Sequence, residues 1–376
     1  MIYLDNNATT PIDERVLEAM MPFLTTQFAN ASSSHKFGQF TNEAVKKARE
    51  QIADLINAYP NEIIFTSGAT ESINIFLQGV AIKNQDKGKH IITLQTEHKA
   101  VLDTCRYLEN FGFEVSYLPV DNEGILDIKV LENAIRKDTI LVCAMWGNNE
   151  IGTLQPIAEI ANKTAEKNIL FFTDATQVYG KINIDVNAHE IDALCFSGHK
   201  IYAPKGIGAL YLRQGVKIPA LTYGGGHEKG MRSGTLNVAG IVGLGKASEL
   251  AKKEMKENEN KIKTLRDTLE KALLQIPDTS INGSIKHRLF NTTNICFKDV
   301  DSDALIAALE DIAVSNGSAC TAHLIEPSHV LRSIGLDDKQ AFESIRFSLG
   351  KYNTIEEIET SFSLIQKIVK NFREML

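Results

Sequence analysis

The chain has 376 residues, 43% hydrophobic and 23% charged, enough for two domains or for one large domain with an appendage. Forty Lys and Arg against 47 Asp and Glu leave a net charge of −7, which argues against gripping a nucleic-acid backbone through a basic face. No apolar run reaches the ~20 residues of a membrane-spanning helix, and the opening MIYLDNNATT lacks the basic region and apolar core of a signal peptide, so neither a membrane nor a secretory route is expected.

From about residue 42 to residue 212, short runs rich in Ile, Val, Leu and Phe alternate with amphipathic stretches. The runs at 62–66, 90–94, 115–119, 140–145, 169–173, 192–196 and 209–212 read as buried strands, with helices at 70–83, 99–111, 129–136 and 156–167. That alternation predicts an α/β layered sheet with helical crossovers. After Gly243 the pattern changes. Residues 244–274 form a long helical stretch dense in Lys and Glu, 294–297 are strand-like and 302–309 helical. The tail opens with the capping box Thr354-x-x-Glu357 and then spaces Ile358, Phe362, Ile365, Val369 and Phe372 along one helical face. The expected organisation is a large domain over 13–249 and a smaller α+β domain over 250–376 joined by residues 1–12.

In an open parallel sheet, ligands bind beyond the carboxyl ends of the strands. After the first strand comes Ser67-Gly68-Ala69-Thr70-Glu71, a small-residue turn into a helix N-terminus. Its free N–H groups form an anion cup suited to a phosphate, although an ordinary N-cap by Ser67 or Thr70 explains this stretch equally simply. No Walker A loop and no G-x-G-x-x-G occurs. The next strand ends in Thr96-Glu97-His98, where the imidazole could stack on a planar ring or serve only as a hydrogen-bonded surface group. Trp146-Gly147-Asn148-Asn149-Glu150 follows another strand and offers either turn caps or ligand amides. Asp174, at the end of 169–173, is an N-cap or the partner of a cation. Ser197-Gly198-His199-Lys200 puts a lysine at a buried strand end, either snorkelling or working. An amine in a dry cleft beside a carboxylate and a phosphate cup is what a Schiff-base coenzyme requires, and pyridoxal phosphate is the coenzyme that uses this set.

The five cysteines are odd in number and widely spaced, which fits reduced cytosolic thiols, and without C-x-x-C or H-E-x-x-H no metal site is expected. Cys105, Cys143, Cys195 and Cys296 lie in apolar contexts and read as inert core thiols. Cys320, within Ser315-Asn316-Gly317-Ser318-Ala319-Cys320-Thr321-Ala322-His323, has the polar setting a reactive thiolate needs, although a buried turn cysteine fits that stretch too. Arg346, inside a strand-like run, suits a carboxylate ligand or an interdomain ion pair.

Taken together, these stretches resemble the cysteine desulfurases that supply sulfur for iron–sulfur cluster assembly, in the class V aminotransferase branch of fold type I pyridoxal phosphate enzymes. The motifs that carry the resemblance are Tyr3-Leu4-Asp5-Asn6-Asn7-Ala8-Thr9-Thr10-Pro11, Ser67-Gly68-Ala69-Thr70-Glu71-Ser72, Thr96-Glu97-His98, Asn148-Asn149-Glu150-Ile151-Gly152, Thr173-Asp174-Ala175-Thr176-Gln177, Ser197-Gly198-His199-Lys200, Gly224-Gly225-Gly226-His227-Glu228, Arg232-Ser233-Gly234-Thr235 and Gly317-Ser318-Ala319-Cys320-Thr321. The resemblance implies a mostly parallel seven-stranded sheet flanked by helices as the coenzyme-binding domain. It implies that Lys200 holds pyridoxal 5′-phosphate covalently, that Asp174 pairs with the ring nitrogen and that Gln177 bonds the ring hydroxyl oxygen. His98 would stack on the ring and assist proton transfer. Ala69, Thr70, Ser197 and His199 would hold the phosphate, with Thr235 reaching the phosphate of the other subunit of a homodimer. Asn149 and Arg346 would bind the carboxylate of L-cysteine, and Cys320 would take the sulfur as a persulfide and pass it to an iron–sulfur scaffold or another sulfur acceptor, touching a partner's cluster transiently. A lyase or aminotransferase acting on another substrate such as selenocysteine, or an idle assembly scaffold, are the alternatives, and a cytoplasmic location is implied. The chain departs from the family pattern at Asn30-Ala31-Ser32-Ser33, where Asn-Pro-Ser-Ser is usual, at Asn316, and at Thr321-Ala322-His323.

Overall fold

The structure, a computed structural model, describes residues 1–317 and 326–375. The chain begins with β1 (Ile2–Tyr3), α1 (Glu14–Thr25) and α2 (Lys36–Leu55). Strand and helix then alternate through β2 (Ile63–Thr66), α3 (Ala69–Asn84), β3 (His90–Leu94), α4 (Lys99–Glu109), β4 (Glu114–Leu118), α5 (Ile128–Ala134), β5 (Thr139–Cys143), α6 (Ile157–Ala165) and β6 (Leu170–Asp174). β7 (Ala193–Ser197) and β8 (Gly208–Leu212) complete a seven-stranded sheet in the order β2-β8-β7-β6-β5-β3-β4. The pairs from β7 through β4 are parallel, and β8 is antiparallel to both its neighbours. The connection from β7 to β8 is too short for a crossover helix, so the chain must turn straight back.

Successive residues of the central strands enter two different cores. Ile92, Val142, Phe171 and Leu194 belong to one apolar cluster, and Ile91, Leu141, Phe172 and Cys195 to another on the opposite face. Both faces are covered by helices, which is why the strand sequences are near-continuous apolar runs.

Beyond the sheet come α7 (Val238–Leu273), β9 (Thr279–Ile281), β10 (Thr292–Phe297), α8 (Ser302–Ala308), β11 (Ile312–Ala313), α9 (His329–Ser333), α10 (Asp338–Phe342), β12 (Ser344–Ser348) and α11 (Ile355–Glu374). α7 starts six residues before the expected stretch because the Asn237 side chain accepts the Gly240 N–H and caps it there. Its first half packs Leu244, Ala247 and Leu250 into the core beneath the large sheet. Its second half gives Ile262, Leu265, Leu269 and Leu273 to a third cluster. That third cluster also holds Leu4, Ile295, Phe297, Phe347, Ile358, Ile365 and Val369, and it lies on an antiparallel sheet ordered β12-β10-β9. β1 pairs in parallel with β11, tying the first residues of the chain to this region. The Thr354–Glu357 capping box forms as the sequence implies. Among the described residues, no helix is long and apolar enough to cross a membrane.

Candidate active site

The carboxyl ends of β2, β3, β5, β6 and β7 open on one cavity of about 330 Å³, which β12 and the first residues of the chain also line. Its walls bring together Ala69, Thr70, His98, Asn149, Asp174, Gln177, Ser197, His199, Lys200 and Arg346, residues drawn from positions up to 277 apart (346 minus 69). Two expected site residues stand apart. Thr235 is exposed and is not among the lining residues, and Cys320 lies outside the described residues. Ser315 and Gly317, just before the undescribed stretch, line the cavity.

The phosphate cup is built differently from the simplest reading of its sequence. Neither Ser67 nor Thr70 caps α3, since the Ser67 N–H goes to Glu71 Oε2 and the cap position is Gly68. Ser197 Oγ, 128 positions away, accepts the Ala69 N–H at 2.8 Å. The cup therefore sits where the ends of β2 and β7 meet β8. There Gly208 comes so close to Gly68 that an added Cβ would lie 2.6 Å from the Gly68 Cα. His199 Nδ1 is 3.1 Å from Thr9 Oγ1, and burial, with nearby Lys200 and Lys205, holds its pKa down to about 4, so the ring is neutral at pH 7.

Lys200 follows β7 on a single 3-10 turn. Its Nζ donates to the carbonyls of Asn7 and Ala8, the latter at 2.7 Å. Burial and the positive Arg346 bring the Lys200 amine down to about 8, against the opposing pull of Asp5 and Asp174. Asp174 is 6% exposed, and its Oδ1 accepts the Thr176 N–H at 2.9 Å. His98 caps α4, its Nδ1 accepting the Ala100 N–H at 3.1 Å, which leaves the proton of the neutral ring on Nε2. Behind it, Glu97 Oε1 accepts the Met145 N–H and joins the ends of β3 and β5. Burial lifts that carboxyl to about 8, so it is mostly protonated at pH 7.

Arg346 projects from β12, 5% exposed. Its two terminal nitrogens donate to Asn149 O at 3.0 Å and Asp5 Oδ1 at 2.6 Å, and among the described residues its buried Nε has no hydrogen-bond partner. The loop bearing Thr235 is held near the rim of the cup by Arg232, whose Nε donates to Glu71 Oε1 at 2.8 Å. The same loop is locked at its other end by Glu228, which accepts from Arg49 and from the Phe65 N–H.

Several site groups escaped the sequence reading. Asn7 is held by Ser348 Oγ, Thr292, Asn291 and Asn149 O, and its own carbonyl accepts from both Lys200 and Gln177. A motif reveals side-chain types and says nothing of which carbonyl will face a lysine. Thr176, Met145, Ala8 and Ile73 also line the cavity, and Asp5 anchors Arg346.

The set fits pyridoxal phosphate. The volume holds the coenzyme and a small amino acid together. A helix N-terminus suited to a phosphate, a carboxylate and a low-pKa amine share the same walls, and among the described residues the buried Arg346 Nε has no hydrogen-bond partner. Cys105, Cys143, Cys195 and Cys296 are free and buried, and burial pushes each thiol up.

Comparison with known proteins points the same way. The family model described as aminotransferase class-V matches residues 2–360. The chain is 52% identical to cysteine desulfurase IscS of Escherichia coli (strain K12 / DH10B), over 100% of this chain and 94% of that protein, and the same figures hold for the IscS of Shigella boydii serotype 18. Among solved structures it is similar to a NifS-like protein, with a TM-score of 0.93 and 40% identity over 98% of this chain and 99% of the other. It is also similar to a structure described as SspA in complex with cysteine, with a TM-score of 0.84 and 40% identity over 94% and 100% of the two chains.

Proposed function

The chain belongs to the class-V aminotransferase family, and from that premise we propose that it is a pyridoxal phosphate-dependent cysteine desulfurase. It converts L-cysteine to L-alanine and leaves the sulfur on Cys320 as a persulfide. The observation that carries this reading is the convergence of Lys200, Asp174, His98 and Arg346 on one cavity. The coenzyme, when bound, supplies an electron sink for charge developing at the substrate Cα. Lys200 holds it, and the Lys200 amine, near neutrality because of its burial, takes the Cα proton. Asp174 would pair with the ring nitrogen of the bound coenzyme, and Ala69, Thr70, Ser197 and His199 would hold its phosphate. His98 would stack on the ring and assist proton transfer. Arg346 and Asn149 receive the substrate carboxylate, Arg346 through the Nε that has no partner among the described residues.

The Cys320 thiolate forms a bond to the substrate sulfur as the Cβ–S bond breaks, so cysteine and a thiol become alanine and a persulfide with no outside oxidant. Gly317 lines the cavity, and Cys320 follows it three positions later in the sequence. The persulfide then passes to an acceptor protein of iron–sulfur or other sulfur-carrier synthesis. Free, buried thiols at all four described cysteines suit the reducing cytoplasm. The large domain, 13–249, carries the coenzyme. The small domain, 1–12 and 250–376, carries Cys320 and Arg346.

Purified protein supplied with pyridoxal phosphate and L-cysteine is expected to release alanine, and to release sulfide when a thiol reductant is present. The Cys320→Ser variant is expected to keep the coenzyme and form no persulfide. Persulfide formation at the wild-type rate in that variant would refute the sulfur-acceptor role.

A further inference from the structure

Four residues beyond Gln177 stands a second, half-buried lysine that the reaction above does not use. Lys181 Nζ donates to Gln177 Oε1 at 3.3 Å, while Gln177 Nε2 donates to Asn7 O at 3.0 Å. Lys181 also lines a separate cavity of about 50 Å³ that reaches Lys200 from behind, between the first residues of the chain and α7. The charged and titratable groups around that cavity are Asp13, Lys200, Tyr202, Glu254 and Lys351, with Arg346 acting from farther off. Both acids are engaged elsewhere. Arg15 holds Asp13 at 2.8 Å and Glu254 at 2.5 Å, and Lys351 pairs with Asp13 and lies 3.8 Å from Glu254. Among the described residues, Lys181 has no carboxylate within ion-pair distance. Burial, with the positive Lys200 and Arg346 adding to it, brings this amine down to about 7.

We propose that Lys181 is a positioning residue whose ammonium turns the Gln177 amide so that its Nε2, and never its oxygen, is presented to the ring oxygen of the coenzyme. An ammonium has three donors and no acceptor, so it accepts only the Oε1 end of the amide, and the Asn7 carbonyl accepts only the other end. The second N–H of Nε2 is then free for an anionic ring oxygen. The charge has a further role. A phosphate and a ring oxygen would bring negative charge into the site, which favours a proton on Lys181. The positive charge on Lys181 would in turn oppose protonation of the bound chromophore.

This inference rests on the reading that the cavity holds pyridoxal phosphate, and its test keeps the two apart. Wild type, Lys181→Met and Lys181→Arg are loaded with pyridoxal 5′-phosphate and compared by equilibrium dialysis and by pH titration of the bound visible band. Lys181→Met is expected to weaken coenzyme retention about tenfold and to raise the band's pH midpoint by about one unit, with Lys181→Arg restoring the midpoint toward wild type. A folded Lys181→Met protein with unchanged retention and unchanged midpoint overturns the proposal. So does a Lys181→Arg midpoint displaced as far as that of Lys181→Met, because charge would then play no part. If Lys181→Met does not fold, Lys181→Gln carries the same comparison, since it keeps a donor and loses the charge. A wild-type protein that develops no visible band refutes the coenzyme reading itself.

Discussion

Lys200 holds its proton loosely because burial and Arg346 both oppose an ammonium at that point, while Asp5 and Asp174 offset them only in part. Only the neutral amine attacks a carbonyl. Coenzyme uptake by the coenzyme-free protein should therefore quicken as pH rises through about 8 and level off above it, falling about tenfold for each unit below. Stopped-flow absorbance across pH 6 to 10 reads this directly, and a flat profile would be inconsistent with Lys200 as the attacking group. Arg346 supports a second prediction. Its terminal nitrogens are committed to Asn149 O and Asp5, so the remaining Nε is what a lysine in its place would lack. Arg346→Lys should raise KM for L-cysteine roughly ten- to a hundredfold, the worth of a hydrogen bond between charged partners, with a smaller change in kcat.

At the scale of the element, the phosphate cup depends on a close approach between backbones. An alanine at Gly208 would place its Cβ 2.5 Å from the Phe196 carbonyl oxygen and 2.6 Å from the Gly68 Cα, and neither is the movable tip of a side chain. Gly208→Ala should cost roughly 1–3 kcal/mol in urea unfolding and weaken coenzyme retention, because relief of the clash displaces Ala69 and Ser197 from each other. Full retention of the coenzyme would show that the cup tolerates separation of β2 from β8. The last helix provides a contrast far from the site. Thr354 Oγ1 accepts the Glu357 N–H at 3.3 Å, and Glu357 Oε2 accepts the Thr354 N–H at 3.2 Å. Thr354→Ala should lower stability by about 1 kcal/mol and leave the kinetics of alanine release unchanged.

At the scale of the molecule, Thr235 is the residue that a single chain leaves without a role. It is exposed, yet Arg232 and Glu228 hold its loop firmly beside the cup. Leu17, Met21, Leu24, Phe28, Phe37 and Phe40, on and between α1 and α2, are exposed large apolar side chains, with Phe28 packed edge-on against Phe37. Both features suit a homodimer in which Thr235 completes the phosphate site of the other subunit. Sedimentation is expected to show a dimer, and Thr235→Ala should lose the coenzyme faster on dilution. A monomer that retains the coenzyme as well as the dimer does would rule out a shared site.

Much of this molecule was legible beforehand because the relevant physics is short-ranged. Apolar runs marked the strands of the large sheet to within one or two residues, since burial on both faces demands such runs, and the capping box at Thr354 is a pattern of adjacent residues. The chemical inventory of the site was likewise a matter of residue type. Tertiary structure alone decided that Ser197 Oγ, rather than Ser67 or Thr70, accepts the first N–H of α3, that the Asn7 carbonyl receives Lys200 and Gln177, and that Lys181 lies behind them both. Those contacts depend on the order of strands in the sheet and on where the first residues of the chain come to rest. Most of them join positions more than a hundred residues apart, a separation at which periodicity and local propensity carry no information.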